Sequence, residues 1–156
     1  MSEARSTTIG RSLACSALFG ILLSSWSPFS AQTAKTYKGR LSVVPIDIAM
    51  QATIAGSGSV TAVLTGSKLA ITGTYDGLKS PATIAQIHRG QRGVRGPAIL
   101  DLKTSGGTSG MISGTLDLSA QQVADLQKSW LYVQVHSEKA PDGNLWGWLL
   151  PQENQK

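Results

Sequence analysis

Three sets of residues in this chain have types that could do chemistry: two histidines, an arginine-rich loop, and a pair of tryptophans. His88 and His136 are imidazoles, which near neutral pH serve as proton carriers or metal ligands. They lie on different candidate strands and could meet in space. Two histidines fall short of the three protein ligands typical of a catalytic zinc. The expectation is therefore no metal site and no cofactor, with both histidines as hydrogen-bonded residues at strand ends. The run His88-Arg89-Gly90-Gln91-Arg92-Gly93-Val94-Arg95-Gly96 alternates arginine with glycine. Successive backbone N–H groups and guanidinium forks suit carboxylates, so His88, Arg89, Arg92 and Arg95 form a candidate anion- or partner-binding loop. The plainer reading is a solvated loop whose glycines serve turns and whose arginines serve solubility.

Catalytic patterns are missing. The chain's one cysteine, Cys15, lies in the N-terminal apolar stretch, which leaves no thiol nucleophile in the remainder. No nucleophile elbow, zinc-protease helix, phosphate loop or dinucleotide fingerprint occurs. No close acidic pair stands beside a histidine. The expectation is a protein that is not an enzyme.

The elements that must position these residues are short strands. Leu131 to His136 alternates Leu131, Val133 and Val135 with Tyr132, Gln134 and His136, the period of a strand with one buried face. Ala140-Pro141-Asp142-Gly143-Asn144 has turn chemistry, and Leu145 to Leu150 alternates again with Trp146 and Trp148 on one side. Further strands are expected at Tyr37–Val44, Val60–Gly66, Leu69–Tyr75, Thr83–His88, Pro97–Lys103 and Met111–Leu118. Glycine and serine punctuation separates them. That spacing predicts an all-β, antiparallel Greek-key sandwich or barrel. One short helix is expected over Ser119–Lys128, where Ser119 and Gln122 have capping-box spacing and Ala120, Val123 and Leu126 share a face. The tail from Pro151 to Lys156 is polar and expected to fray.

Residues 1–31 have the layout of a cleaved export signal. Arg5 and Arg11 precede the apolar run Leu13–Leu23, and small residues lead up to Ala31. The apolar run is far shorter than the roughly 20 residues a membrane span needs. Cys15 stands near the start of the run rather than after it, which argues against a lipoprotein. The expected location is periplasmic or secreted, with no stable membrane span after cleavage. Residues 32–156 then form a single β domain. It has no cysteine and no phenylalanine, and must rest on Leu, Ile, Val, Ala, Trp and Tyr. Removing Arg5, Arg11 and Glu3 from a chain of net charge +5 leaves +4, too mild to name a partner. Nucleic acid is not expected: the export signal places the protein outside, and no aromatics interleave with the basic run.

The segments IAQIHRGQRGVRGPAILDL (84–102), ISGTLDLSAQQVADLQ (112–127) and LYVQVHSEKAPDGNLWGWL (131–149) resemble, in order and spacing, the CHRD domain family named for chordin. The resemblance implies a Greek-key β fold and no established enzymatic activity. In chordin such domains belong to a protein that binds secreted growth factors. Gln86 stands where the family has the first histidine of an H-x-H. Asn144 and Trp146 stand where it usually has Glu and Arg, and Trp148 where it has Gln. A histidine cluster of the family would thus have lost one ligand here. The likeness to Cu/Zn superoxide dismutase stops at the histidine count.

The preferred expectation is a non-catalytic exported module that docks on another exported or membrane-associated protein, as an accessory subunit of an envelope complex. Its face would be Tyr132, Gln134, Trp146 and Trp148. With a loop over Ser137–Gly143, Tyr132 lies opposite Trp148 and Gln134 opposite Trp146, and the register decides the face. Leu131, Val133, Val135, Leu145 and Leu149 suffice for the interior, so the tryptophans should point outward and be exposed. Two alternatives are a metal-binding or redox protein using His88 and His136, and a small-ligand or glycan binder using surface tryptophans.

Intact mass of the exported form should correspond to a chain lacking roughly the first 31 residues. A species retaining Met1–Ala31 contradicts the leader.

Overall fold

The computed structural model describes residues 32–45 and 47–152. The expected leader and the end of the tail lie outside them. The strands are β1 (Lys35–Val43), β2 (Ser57–Thr65), β3 (Lys68–Asp76), β4 (Ala82–Arg89), β5 (Ala98–Thr104), β6 (Gly110–Asp117), β7 (Leu131–Ser137), β8 (Ala140–Trp148) and the short β9 (Leu150–Pro151). A helix, α1 (Ala120–Gln127), lies between β6 and β7, and a 3-10 turn (Ala49–Ala52) between β1 and β2.

Every pairing is antiparallel. Around the ring the order is β2-β3-β6-β5-β4-β7-β8-β1, and β1 pairs back onto β2, so eight strands close into a barrel. Closure removes the free edges that an open sheet would expose. Two strands each change partner along their length. At β1, Lys35–Leu41 pairs with β2 while Ser42 and Val43 pair with β8. At β5, Ala98–Leu102 follows β4 while Lys103 and Thr104 follow β6. Three consecutive hairpin-linked strands, β4, β5 and β6, return to lie beside β3, which is the Greek-key order. The all-β antiparallel barrel or sandwich expected from the sequence is the observed fold.

Period-two alternation builds the interior. Leu69, Ile71 and Tyr75 of β3, Ala85 and Ile87 of β4, and Leu131, Val133 and Val135 of β7 all point inward and are buried. Leu145 and Leu149 join them, as does Leu126 of α1. No disulfide is present to help, so this apolar set holds the barrel. Tyr75 brings its hydroxyl to the barrel end, where it meets Thr104 Oγ1 at 2.9 Å and donates to the Gly106 carbonyl at 2.8 Å. The helix is capped as its sequence predicts: Ser119 Oγ accepts from the Gln122 amide, and the Gln122 side chain accepts from the Ser119 amide. Pro151, expected in the frayed tail, instead lies in β9 opposite Tyr37. It is tolerated there because β9 is an edge strand.

Ile87 is fully buried at the centre of β4. Ile87→Ala should therefore lower unfolding stability by about 2–5 kcal/mol. Chemical denaturation measures this; a loss under about 1 kcal/mol would mean the interior is not packed around β4.

Candidate functional site

The candidate site lies on the outside of the barrel wall formed by β4, β7 and β8. Here β7 is buried on both faces along its whole length, although alternation suggested only one. Its register with β8 sets Tyr132 opposite Trp148 and Gln134 opposite Trp146, as expected. Its register with β4 sets His88 opposite Tyr132, Gln86 opposite Gln134 and Ile84 opposite His136. Strand pleating therefore gathers the polar and aromatic residues of three strands on one outer face.

Their rings form a continuous row. His136 stacks on His88 with centroids 5.8 Å apart, and His88 stacks on Tyr132 at 5.1 Å. Tyr132 lies against Trp148 at 4.7 Å, and Trp148 meets Trp146 edge-on at 4.6 Å. Trp146 also meets Tyr132 edge-on. Offset and edge-to-face pairs of this kind contribute about 0.5–1.5 kcal/mol each beyond their burial.

The row is covered, which corrects the expectation that Trp146 and Trp148 are exposed. Trp146 is 8% exposed, Tyr132 is fully buried and Gln134 is buried; Trp148 is half-buried. Val44 and Ile54 pack with Tyr132 and Trp146 in a second apolar cluster outside the barrel, and Met50 of the 3-10 turn packs against it. The connection between β1 and β2 thus folds over the tryptophans. An open aromatic platform for a sugar is not available at Trp146.

The arginine loop is the second cover, and the row fastens it. Tyr132 Oη accepts from the Gly96 amide at 3.0 Å and donates toward its carbonyl at 3.3 Å. His88 Nδ1 meets the same carbonyl at 2.9 Å, and Trp148 Nε1 donates to the Gly90 carbonyl at 3.0 Å. The glycines are required by this close docking: a side chain at Gly96 would collide with the backbone of Arg89. Arg89, half exposed, pairs its Nε at 2.7 Å with Asp125 of α1, whose side chain is 1% exposed. Arg92, Val94 and Arg95 stand in solvent, Val94 being 55% exposed.

The third cover corrects the expected turn. The chain reverses at Glu138-Lys139, and Ala140 already pairs with Ser137. Pro141 to Asn144 then bulges out of β8, opposite His136. The turn-forming residues serve that bulge rather than the reversal. Its carbonyls are held from several sides: His136 Nδ1 reaches Pro141 O at 2.7 Å, while Gln134 Nε2 and Arg95 donate to Asp142 O. The Val44 amide donates to Asn144 O. Gly143 adopts φ +125°, and a side chain there would strike Gln134.

Both imidazoles are 8% exposed. Burial pushes the His88 pKa below its ordinary value, with the nearby His136 and Arg95 acting in the same direction and the Gly96 carbonyl opposing. Burial thus favours the neutral form of His88. Gln86, where a family histidine would stand, donates instead to Asp101 of β5 at 2.7 Å. Among the described residues no three His, Cys, Asp or Glu side chains cluster to hold a metal.

The expected site residues therefore split. Tyr132, Gln134, His88 and Trp146 form the buried support, and the arginines form the surface it carries. Sequence reasoning does not bring Val44, Met50 or Ile54 to the site: Val44 reads as the end of a strand, and the apolar character of Met50 and Ile54 in the linker after it is the available signal.

Among known families, residues 41–149 match the model of the CHRD domain. No curated protein and no solved structure matches the chain.

Tyr132→Phe keeps the ring but leaves the Gly96 amide unanswered. It should lower stability by about 1–3 kcal/mol and speed trypsin cleavage after Arg92 and Arg95. Denaturation and a digestion time course check both; unchanged cleavage would show that the hydroxyl does not hold the loop.

Proposed function

The chain belongs to the CHRD domain family, and on that premise we propose that it is an exported, non-catalytic binding module that docks on another protein of the cell envelope. Residues 41–149 match the CHRD domain, and the resemblance to that family implies no established enzymatic activity, which favours a binding role. One observation carries the docking surface: a loop fixed at one end by the buried Tyr132 and at the other by the half-buried Trp148 presents Arg92, Val94 and Arg95 to solvent. Binding residues concentrate on loops held by rigid scaffolds. Ordering the loop in advance lowers the entropy cost of association.

The chemistry of the surface favours an acidic partner. Two guanidinium groups flank an exposed valine, and no acidic residue lies between Arg89 and Pro97. Guanidinium forks take carboxylates bidentately, and the valine supplies apolar contact between them. In this reading Tyr132, Gln134, Trp146 and Trp148 hold the loop and bulge in shape rather than touching the partner. The periplasmic or secreted location rests on the leader expected over residues 1–31.

Residues 32–156 immobilised as bait should retain an acidic envelope protein at low salt and release it as salt rises. Arg92→Glu should weaken that capture at least about tenfold, or about 1.4 kcal/mol, with unfolding unchanged. Equal retention by the parent and Arg92→Glu would contradict the loop as the docking surface.

A further inference from the structure

We propose that His88 and His136 together bind a two-coordinate, monovalent soft cation of the copper(I) class through their Nε2 atoms. The two Nε2 atoms are enclosed, and neither has a hydrogen-bond partner. The Nδ1 atoms face the carbonyls of Gly96 and Pro141 at 2.9 Å and 2.7 Å. A carbonyl oxygen only accepts, so each Nδ1 carries a proton, and in the neutral ring each Nε2 then presents a bare lone pair. A buried acceptor without a donor costs about 1–3 kcal/mol. Here two of them occur on rings stacked 5.8 Å apart with planes inclined by 28°. An imidazole fixed by Nδ1–H to a backbone carbonyl, with Nε2 free, is the oriented form in which histidine ligates metal.

Other occupants fit less well. A water bridging the two lone pairs would have those two acceptors alone, the fewest partners a buried water keeps, since the Tyr132 hydroxyl beside these rings is already engaged with Gly96. A divalent ion lacks ligands: no third His, Cys, Asp or Glu joins the pair among the described residues, and zinc takes three or four. Imidazole suits copper. A single charge on two neutral ligands costs less to bury than a double one, the more so with the Arg95 cation acting on His88. Counting ligands against a three-ligand centre led the sequence reading to expect no metal. A two-coordinate ion is outside that count. The site is independent of the docking surface, although it would tie the arginine loop to the Pro141–Asn144 bulge.

Residues 32–156 labelled with 15N can be titrated with silver nitrate, a redox-inert probe, and anaerobically with copper(I) against a chromophoric chelator. The expected result is saturation at one equivalent, with both Nε2 resonances moving together and both Nδ1 protons retained. His88→Gln and His136→Gln should each abolish that uptake. Because the resonances are read in the unmodified protein, misfolding of a variant leaves the proposal testable. Shifts confined to the methyls of Met50 and Met111, or an Nε2 already protonated at neutral pH, would overturn it.

Discussion

The Tyr132 hydroxyl, buried in the barrel wall, holds both the amide and the carbonyl of Gly96, seven residues beyond the end of the neighbouring strand's core. The outer face depends on that contact. Without it the far end of the loop after β4 would be held only by the bonds of His88 to Gly96, Arg95 to Asp142 and Arg89 to Pro97, and the Gly96 amide would have no partner. The contact is strong for a physical reason: the polar atoms involved are shielded from solvent, so leaving one unmet costs more than forming the bond gains. Close backbone approach is the condition for it, and Gly96 meets that condition by having no side chain.

A second constraint follows from the burial of β7 on both faces. A strand in a small barrel normally turns one face to water. Here the outer face carries tyrosine, glutamine, histidine and two neighbouring tryptophans, too much apolar surface to leave bare. Three separate segments cover it: the Val44–Ile54 connection, the arginine loop and the Pro141–Asn144 bulge. Each is short and lacks a core of its own. They are ordered by the rings beneath them, and the polar groups of those rings are spent on loop carbonyls and amides. The same architecture gives the protein a rigid, positively charged rim and, below it, two imidazoles with their lone pairs turned inward.

Much of this was legible in the sequence. Alternation in Leu131–His136 and Leu145–Leu150 gave the interior set, because period two fixes which residues share a face. The register with Trp148 and Trp146 came from a loop centred in Ser137–Gly143, and the reversal at Glu138-Lys139 together with the Pro141–Asn144 bulge leaves that register in place. Ser119 and Gln122 marked the helix start through capping chemistry. What could not be read came from contacts between distant segments. The cover over Trp146 is made by Val44, Met50 and Ile54, about a hundred positions away along the chain, and strand periodicity carries no information about it. Ala140–Asn144 has the composition of a turn, yet glycine at φ +125° serves a bulge equally well. The stacking of His88 on His136 depends on side chains leaning along the strands, across the Gln86–Gln134 pair, which register alone does not specify.

The central claim is that buried side chains hold the Gly90–Gly96 loop in one conformation, and backbone 15N relaxation of residues 32–156 tests it most directly. The account predicts order parameters for Gly90–Gly96 close to those of β4 and β7, near 0.85. Values below about 0.6 across the loop, with the strands rigid, would contradict it.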